Sequence, residues 1–324
     1  MTMPALFAVT PNPALDLTVT LSQLKDNATH RVPAIRRRLG GKGINVASVA
    51  AEQGFDAVAL GPVSSLSLSE YGQHISTGTG EPLPDQLRQA FTDTPTPLRS
   101  TLTVHENERV STSIINEAGA PHPPQVFDTM LATLGEELTD HPGSAVTLSG
   151  SFPPGVPTDL VSRLAQLCRA TDTTLVVDSY GDPLLQACDH NATVVTPNAE
   201  ELIATTGCTD VNQGARQLLQ RGAQMVVVTL GGEGIHAATS KSDSSLHARL
   251  RTPLQGNPTG AGDALTAALA TAFVGGQGLN ELSLRDVLAR AVSWSAAAVL
   301  NPTAGTLNAG DTDWTQFMSS VQVS

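Results

Sequence analysis

The chain has 324 residues, is 40% hydrophobic and 15% charged, and carries a formal net charge of -12 with a pI near 5.0, so it can bury a large core as one domain or two. That acidity argues against duplex nucleic acid or anionic membrane as the main partner, but a few local cations still suffice to hold a phosphorylated small molecule. No apolar run is long enough to span a bilayer, and Cys168, Cys188 and Cys208 lack C-x-x-C spacing, which speaks against a disulfide framework or zinc cage and for the reducing cytoplasm.

The opening MTMPALFAVTPNPALD has neither a basic start nor a long apolar middle, so no signal peptide is expected. LFAVT (6–10) and LDLTVT (15–20) are predicted strands joined by the turn PNPA. Arg36, Arg37 and Arg38 are expected on a solvated strand face. Gly40, Gly41 and Gly43 then surround Lys42 in a loop that runs into an apolar helix starting near Asn45. The spacing is neither that of a Walker A loop nor that of a dinucleotide fingerprint. Lys42 offers a point charge to a phosphate and Asn45 a hydrogen bond to a sugar hydroxyl. A tight turn with a solvated lysine is the competing reading.

Residues 61–98, rich in Ser, Thr, Gly and Pro, read as a loop holding one short helix, PDQLRQAF (84–91). TLTVH (101–105) and VSTSII (110–115), separated by ENER, form a predicted hairpin. The apolar runs AVTLS (145–149), TLVVD (174–178), TVVT (193–196) and MVVVTL (225–230) resemble buried parallel strands. They alternate with the helical patterns PTDLVSRLAQLCRA (157–170) and GARQLLQRG (214–222), the latter capped by Gly222. This alternation implies an α/β doubly wound sheet with ligands at the carboxyl ends of its strands.

TPNAEEL (196–202) puts Asn198 and Glu201 in the first turn after a strand. They are oxygen ligands of the kind Mg2+ prefers, often through water, although a helix cap explains Asn198 as well. TLGGEGIHA (229–237) holds a G-G-x-G turn that could lie against a nucleotide's phosphates, with a hairpin turn the stronger reading. His30, His105 and His236 are isolated, and Ser149 and Ser151 lack a G-x-S-x-G frame.

NPTGAGDALTAALA (257–270) sets Gly260, Ala261 and Gly262 ahead of Asp263 and an almost wholly apolar run that ends at Gly275 and Gly276. A helix N-terminus there would offer unpaired N–H groups and a favourable dipole to an anion. Asp263 would sit beside that pocket, placed to accept a hydroxyl proton. An acidic residue favoured in a first helical turn is the alternative.

Taken together and in this order, TPNPALDLTV, GGKGINVA, LSGSFPPGVP, TPNAEEL, TLGGEG and NPTGAGDALTAALA resemble the PfkB, or ribokinase-like, family of carbohydrate kinases over nearly the whole chain. With NPALD, INEAG and Lys42, the resemblance is closest to its phosphosugar branch. It implies a single kinase domain over 1–324: a ribokinase-like three-layer α/β/α sandwich with a small β-sheet lid drawn from roughly 12–37 and 99–116. It implies ATP and Mg2+, a phosphorylated ketohexose as substrate, and a homodimer through the lid sheet. Conversion of fructose 1-phosphate to fructose 1,6-bisphosphate is the first expectation. Tagatose 6-phosphate kinase activity, or sugar-phosphate binding with weak or lost catalysis, are the alternatives.

By the same resemblance Asp263 is the base, and Gly260, Ala261 and Gly262 form the anion hole. Asp16, Arg31, Gly41, Lys42, Asn45, Arg99 and Ser149 bind the substrate. Thr229, Gly231 and Gly234 lie near ATP, and Asn198 and Glu201 serve Mg2+. The chain departs from the family at Thr196, where Lys is common, at Thr101 in RST, at Ala118 in INEAG, and over 61–80, which lacks the glycine-rich GFLGG pattern and begins GPVSSLSLSEYGQH.

Overall fold

The computed structural model describes residues 2–73, 84–109, 111–242, 244–280, 282–301, 303–307 and 313–324. The first part of the chain gives β1 (Leu6–Val9), β2 (Ala14–Leu21), β3 (Arg36–Gly40), α1 (Lys42–Glu52), β4 (Ala57–Leu60), α2 (Ser65–Tyr71) and β5 (Leu87–Gln89). Next come β6 (Arg99–Glu106), β7 (Ser111–Asn116), α3 (Pro124–Asp140), β8 (Ala145–Ser149), α4 (Leu160–Ala170), β9 (Thr174–Asp178), α5 (Asp182–Asp189) and β10 (Val194–Val195). The last part holds α6 (Ala199–Thr206), α7 (Val211–Arg221), β11 (Met225–Thr229), β12 (Ile235–Thr239), β13 (Ser245–Leu250), α8 (Ala261–Thr271), α9 (Leu284–Val299), α10 (Thr315–Met318) and β14 (Val321–Val323).

Ten strands form one sheet in the order β14-β13-β12-β11-β10-β9-β8-β1-β4-β5. From β11 to β5 the pairs are parallel, and β11 through β14 pair antiparallel. Its central strands are buried on both faces, which is why they read as unbroken Val, Leu and Ala runs. One face packs on α1, α8 and α9, and the other on α3, α4, α5 and α7, giving three layers with a core on each side of the sheet. Helix α8 is buried from Asp263 through Thr271, so its apolar residues point in every direction.

A second sheet has the order β3-β2-β6-β7. Here β2 pairs parallel with β6, while β2–β3 and β6–β7 pair antiparallel. The chain leaves the large sheet at the end of β1, enters the small one at β2, and returns through α1.

Several local expectations change. PDQLRQAF is not a helix: Leu87–Gln89 is a short strand alongside β4, with Leu87 opposite Ala57 and buried. Pairing at the sheet edge overrides a weak local preference in so short a segment. The helix of this region is α2, capped by the Ser64 side chain, which accepts from the Ser67 N–H. Part of the departing 61–80 segment, residues 74–80, and Val110 of the predicted hairpin lie outside the described residues. The helix expected from Pro157 begins at Leu160, after a turn closed by the Leu160 N–H on the Pro157 carbonyl. LFAVT and LDLTVT are strands of different sheets, and β10 is only Val194–Val195.

Candidate active site

A cleft of about 1270 Å³ opens between the two sheets. Its floor is built from the N-terminal ends of α1, α6 and α8, its wall from β2, β3, β6 and β7, and its far end from the β11–β12 turn and the 251–260 segment. The carboxyl end of β9 lies beneath it. The site thus forms where parallel strands end and helices begin.

The loop before α1 works by close approach. A Cβ on Gly40 would stand 2.0 Å from the Asp16 Oδ2, so glycine there leaves room for that carboxylate. Lys42, the first residue of α1, rises into the cleft with a side chain 39% exposed. Its Nζ donates to the Asp178 Oδ1 at 3.1 Å and lies 3.6 Å from the Glu201 Oε1. Burial works to lower the Lys42 pKa, but Asp178, Glu201 and Asp263 outweigh it and hold the ammonium above its ordinary value.

Asp263 lies in the first turn of α8 and is 5% exposed. Its Oδ2 accepts from the Asn45 Nδ2 at 2.6 Å. The Asn45 Oδ1 in turn accepts from the Arg38 Nη2 at 2.7 Å, and the same nitrogen donates to the Asp16 Oδ2 at 2.8 Å. Burial, reinforced by the Asp178 charge, pushes Asp263 up to about 7, against the opposing pull of Lys42, the Asn45 hydrogen bond and Arg38. A carboxyl poised there can take up a proton near neutral pH. Burial also raises Asp16, against the pull of Arg38 and Arg99.

The turn before Asp263 is fixed by Gly260, which has φ 86° and whose added Cβ would meet the Ala304 Cβ at 2.5 Å. The Ala261 N–H bonds the Pro258 carbonyl, and the Ala264 N–H bonds the Gly260 carbonyl. Among the described residues the N–H groups of Gly262 and Asp263 have no partner, and the space beside Gly262 is open. Such a pair at a helix N-terminus can hold an anion. Ala261 is therefore not a free donor, which narrows the expected anion hole to the Gly262 side of the loop.

Most of the residues singled out from the sequence line this cleft: Asp16, Gly41, Lys42, Asn45, Arg99, Asn198, Glu201, Thr229, Gly231, Gly234 and Gly260 to Asp263. Arg99 donates to the Asn12 and Glu117 carbonyls and to the Thr101 hydroxyl, and burial lowers its pKa. Gly231 to Gly234 form the turn of the β11–β12 hairpin, so the hairpin reading of that stretch holds and the turn still faces the cleft. Asn198 and Glu201 form a reciprocal capping box on α6, which occupies the Asn198 Oδ1 and the Glu201 Oε2 and leaves the Glu201 Oε1 toward Lys42. Among the described residues no group of three or more His, Cys, Asp or Glu could hold a metal by itself.

Two expected residues lie elsewhere. Arg31 is exposed on the connection between β2 and β3 and does not line the cleft. Ser149 is fully buried at the end of β8, its Oγ without a partner, and Ser151 lines the cleft instead. Gly150, with φ 107°, bends the chain between them.

Sequence reasoning missed Arg38 and Asp178. Arg38 is not on a solvated face: only 4% of it is exposed, and it lies directly opposite Asp16 in the β2–β3 pair. No local signal separates it from Arg36 and Arg37. Asp178 closes the apolar run of β9, and a polar residue at the carboxyl end of a parallel strand was the available signal. Thr196 is buried below the cleft, where its hydroxyl meets those of Thr266 and the Val177 carbonyl.

The model of the pfkB family carbohydrate kinases matches residues 99–309. A 1-phosphofructokinase of Xanthomonas campestris pv. campestris is 33% identical over 279 residues, covering 82% of this chain and 83% of the relative. A 1-phosphofructokinase of Rhodobacter capsulatus is 30% identical over 299 residues, covering 91% and 90%. Among solved structures, a "possible 1-phosphofructokinase" of Thermotoga maritima superposes with a TM-score of 0.83 at 19% identity over 99% of both chains. Ribokinase of Arabidopsis thaliana superposes with a TM-score of 0.70 at 19% identity over 98% and 99%, and these two likenesses bear on the fold.

Proposed function

Since the chain belongs to the pfkB family of carbohydrate kinases, and so is a phosphotransferase acting on a sugar hydroxyl, we propose that it is a 1-phosphofructokinase, converting fructose 1-phosphate to fructose 1,6-bisphosphate with ATP. The observation that carries this reading is that relatives of that activity align over more than four-fifths of their length, with Lys42 and Arg99 as cations in the same cleft as Asp263. A substrate that already carries a phosphate needs such cations, and a neutral sugar does not.

In this reading Asp263 takes the proton from the C6 hydroxyl as the phosphoryl group arrives. The donors beside Gly262 face the charge spreading over the transferring group, and the dipole of α8 adds to them. The transition state is loose, so positioning and electrostatics supply most of the rate. Asp16 and Asn45 orient the sugar, and Lys42 and Arg99 hold its phosphate. The apolar end of the cleft, with Leu250, Leu265, Val292 and Val299, suits a purine base, and the turn at Gly231 and Gly234 suits its phosphates.

Mg2+ fits this donor set only as a shared ion. Glu201 and Asn198 would hold it through water beside the nucleotide's phosphate oxygens, since the Asn198 Oδ1 and the Glu201 Oε2 are committed to the capping box and the Glu201 Oε1 faces Lys42. When bound, the ion would neutralise phosphate charge. The small sheet acts as a lid that shields the reaction from water, and pairing of two such sheets would make a homodimer. All three cysteines are free, and burial pushes Cys168 and Cys188 up to about 12. Among the described residues no helix is long and apolar enough to cross a membrane.

A coupled ADP-release assay over fructose 1-phosphate, tagatose 6-phosphate, fructose 6-phosphate and ribose tests the assignment. Fructose 1-phosphate is expected to give the highest kcat/KM. Preference for tagatose 6-phosphate would move the substrate but keep the chemistry. Tight sugar-phosphate binding with no turnover on any sugar would instead support a binding protein.

A further inference from the structure

The buried guanidinium of Arg38 is unusual in its connections. It belongs to β3 of the small sheet, yet its Nη2 joins a carboxylate of that sheet, Asp16, to an amide of α1, Asn45, whose other end meets Asp263 on α8. Four side chains from four elements thus form one unbroken line into the centre of the cleft. Gly305 closes the far side, since a Cβ there would stand 3.0 Å from both the Arg38 Nη1 and the Asn45 Oδ1.

The chemistry of this line is directional. An arginine has only donors, so it can meet only the oxygen end of the Asn45 amide. That leaves the NH2 end toward Asp263, where it can only donate: it bonds an ionised carboxylate more strongly than a protonated carboxyl, and it cannot accept the carboxyl O–H. Without Arg38 the amide is free to turn over and offer its oxygen to a protonated Asp263. The guanidinium therefore favours the ionised form of the base twice, by its charge and by the orientation it imposes. The other charged groups facing Asp263 are Asp178 at the end of β9 and Lys42 on α1, with Glu201 of α6 behind Lys42.

We propose that Arg38 is a positioning residue: it locks the Asn45 amide so that it donates to Asp263, and it couples the seating of the small sheet, through Asp16, to the readiness of the base. The inference rests on Asp263 being the base. Opening of the small sheet would withdraw Arg38, release the amide and favour the protonated, idle carboxyl. Closure would restore the ionised one. Phosphoryl transfer would then be disfavoured while the cleft is open to water.

The test is the pH profile of kcat for Arg38→Met at saturating Mg-ATP and sugar phosphate. The acid limb is expected to move up by about one pH unit, from the loss of one nearby opposite charge. That means a loss of roughly tenfold at pH 6 but far less at pH 9, with the Kd for ATP unchanged. Arg38→Lys, which keeps the charge, should bring the limb most of the way back. If Arg38→Met does not fold, Arg38→Gln carries the same expectation, because a glutamine can bind either end of Asn45. An unshifted acid limb in a folded neutral variant overturns the proposal. Asp263→Asn, assayed alongside, separates the two ideas: retained turnover there removes the base and this inference with it. A dead Asp263→Asn beside an unshifted Arg38→Met removes only the role of Arg38.

Discussion

Replacing Asp263 by Asn is expected to destroy activity and to stabilise the protein, and both effects come from one cause. The carboxyl ordinarily ionises near 3.8, but burial in the first turn of α8 and the nearby Asp178 hold it at about 7. Its folded-state pKa is therefore raised, so the folded chain binds the proton more tightly than the unfolded chain. The resulting penalty is absent below about pH 4, grows between the two values, and is complete above about pH 7. The separation corresponds to ~4 kcal/mol as an upper bound. An asparagine of the same shape can still accept from Asn45 and carries none of this penalty. With unfolding entropy of about 2 cal/mol/K per residue, each kcal/mol is worth ~1.5 °C in a chain of this length. Scanning calorimetry should therefore find Asp263→Asn melting up to ~6 °C higher at pH 8, and the gain should shrink toward zero near pH 4. In the same preparation kcat should fall by about 10²–10⁴, the range for loss of a general base. A variant that melts at the wild-type temperature at pH 8 would show that Asp263 carries no such penalty, and near-normal turnover would show that it is not the base.

Two further outcomes follow from the same charges. Lys42→Ala should raise KM for the sugar phosphate by roughly tenfold or more while changing KM for ATP little, since a charge-assisted contact is worth about 1.5–3 kcal/mol; initial-rate kinetics at fixed Mg-ATP would read this, and an unchanged sugar KM would remove Lys42 from the substrate site. In the wild type, kcat should fall below about pH 7 as Asp263 protonates, approaching tenfold per pH unit; a flat profile down to pH 5 would contradict the raised pKa.

Much of the fold is legible in the sequence because burial writes itself into composition. Strands buried on both faces, such as Met225–Thr229, show as unbroken apolar runs, and the uncharged α8 shows that it is enclosed on all sides. The glycine loops before Lys42 and Asp263 are legible because a backbone must approach another group there. What escapes is set by pairing across the chain. Leu87–Gln89 is a strand only because β4 lies beside it. Arg38 differs from its two arginine neighbours only because the β2–β3 register puts Asp16 opposite it. Ser149 and Ser151 are separated by the bend at Gly150, with Ser149 in the core and Ser151 at the cleft. Arg31 shares the cationic character of Arg99 but not its place on a strand that faces the site.

The most direct measurement is 31P NMR of a reaction containing the protein, Mg-ATP and fructose 1-phosphate. The γ-phosphate resonance of ATP should be replaced by a new phosphomonoester at C6 of the sugar, in equal amount to the ADP formed. Release of inorganic phosphate without a new sugar phosphate, or no consumption of ATP by well-folded protein, would contradict the proposed activity.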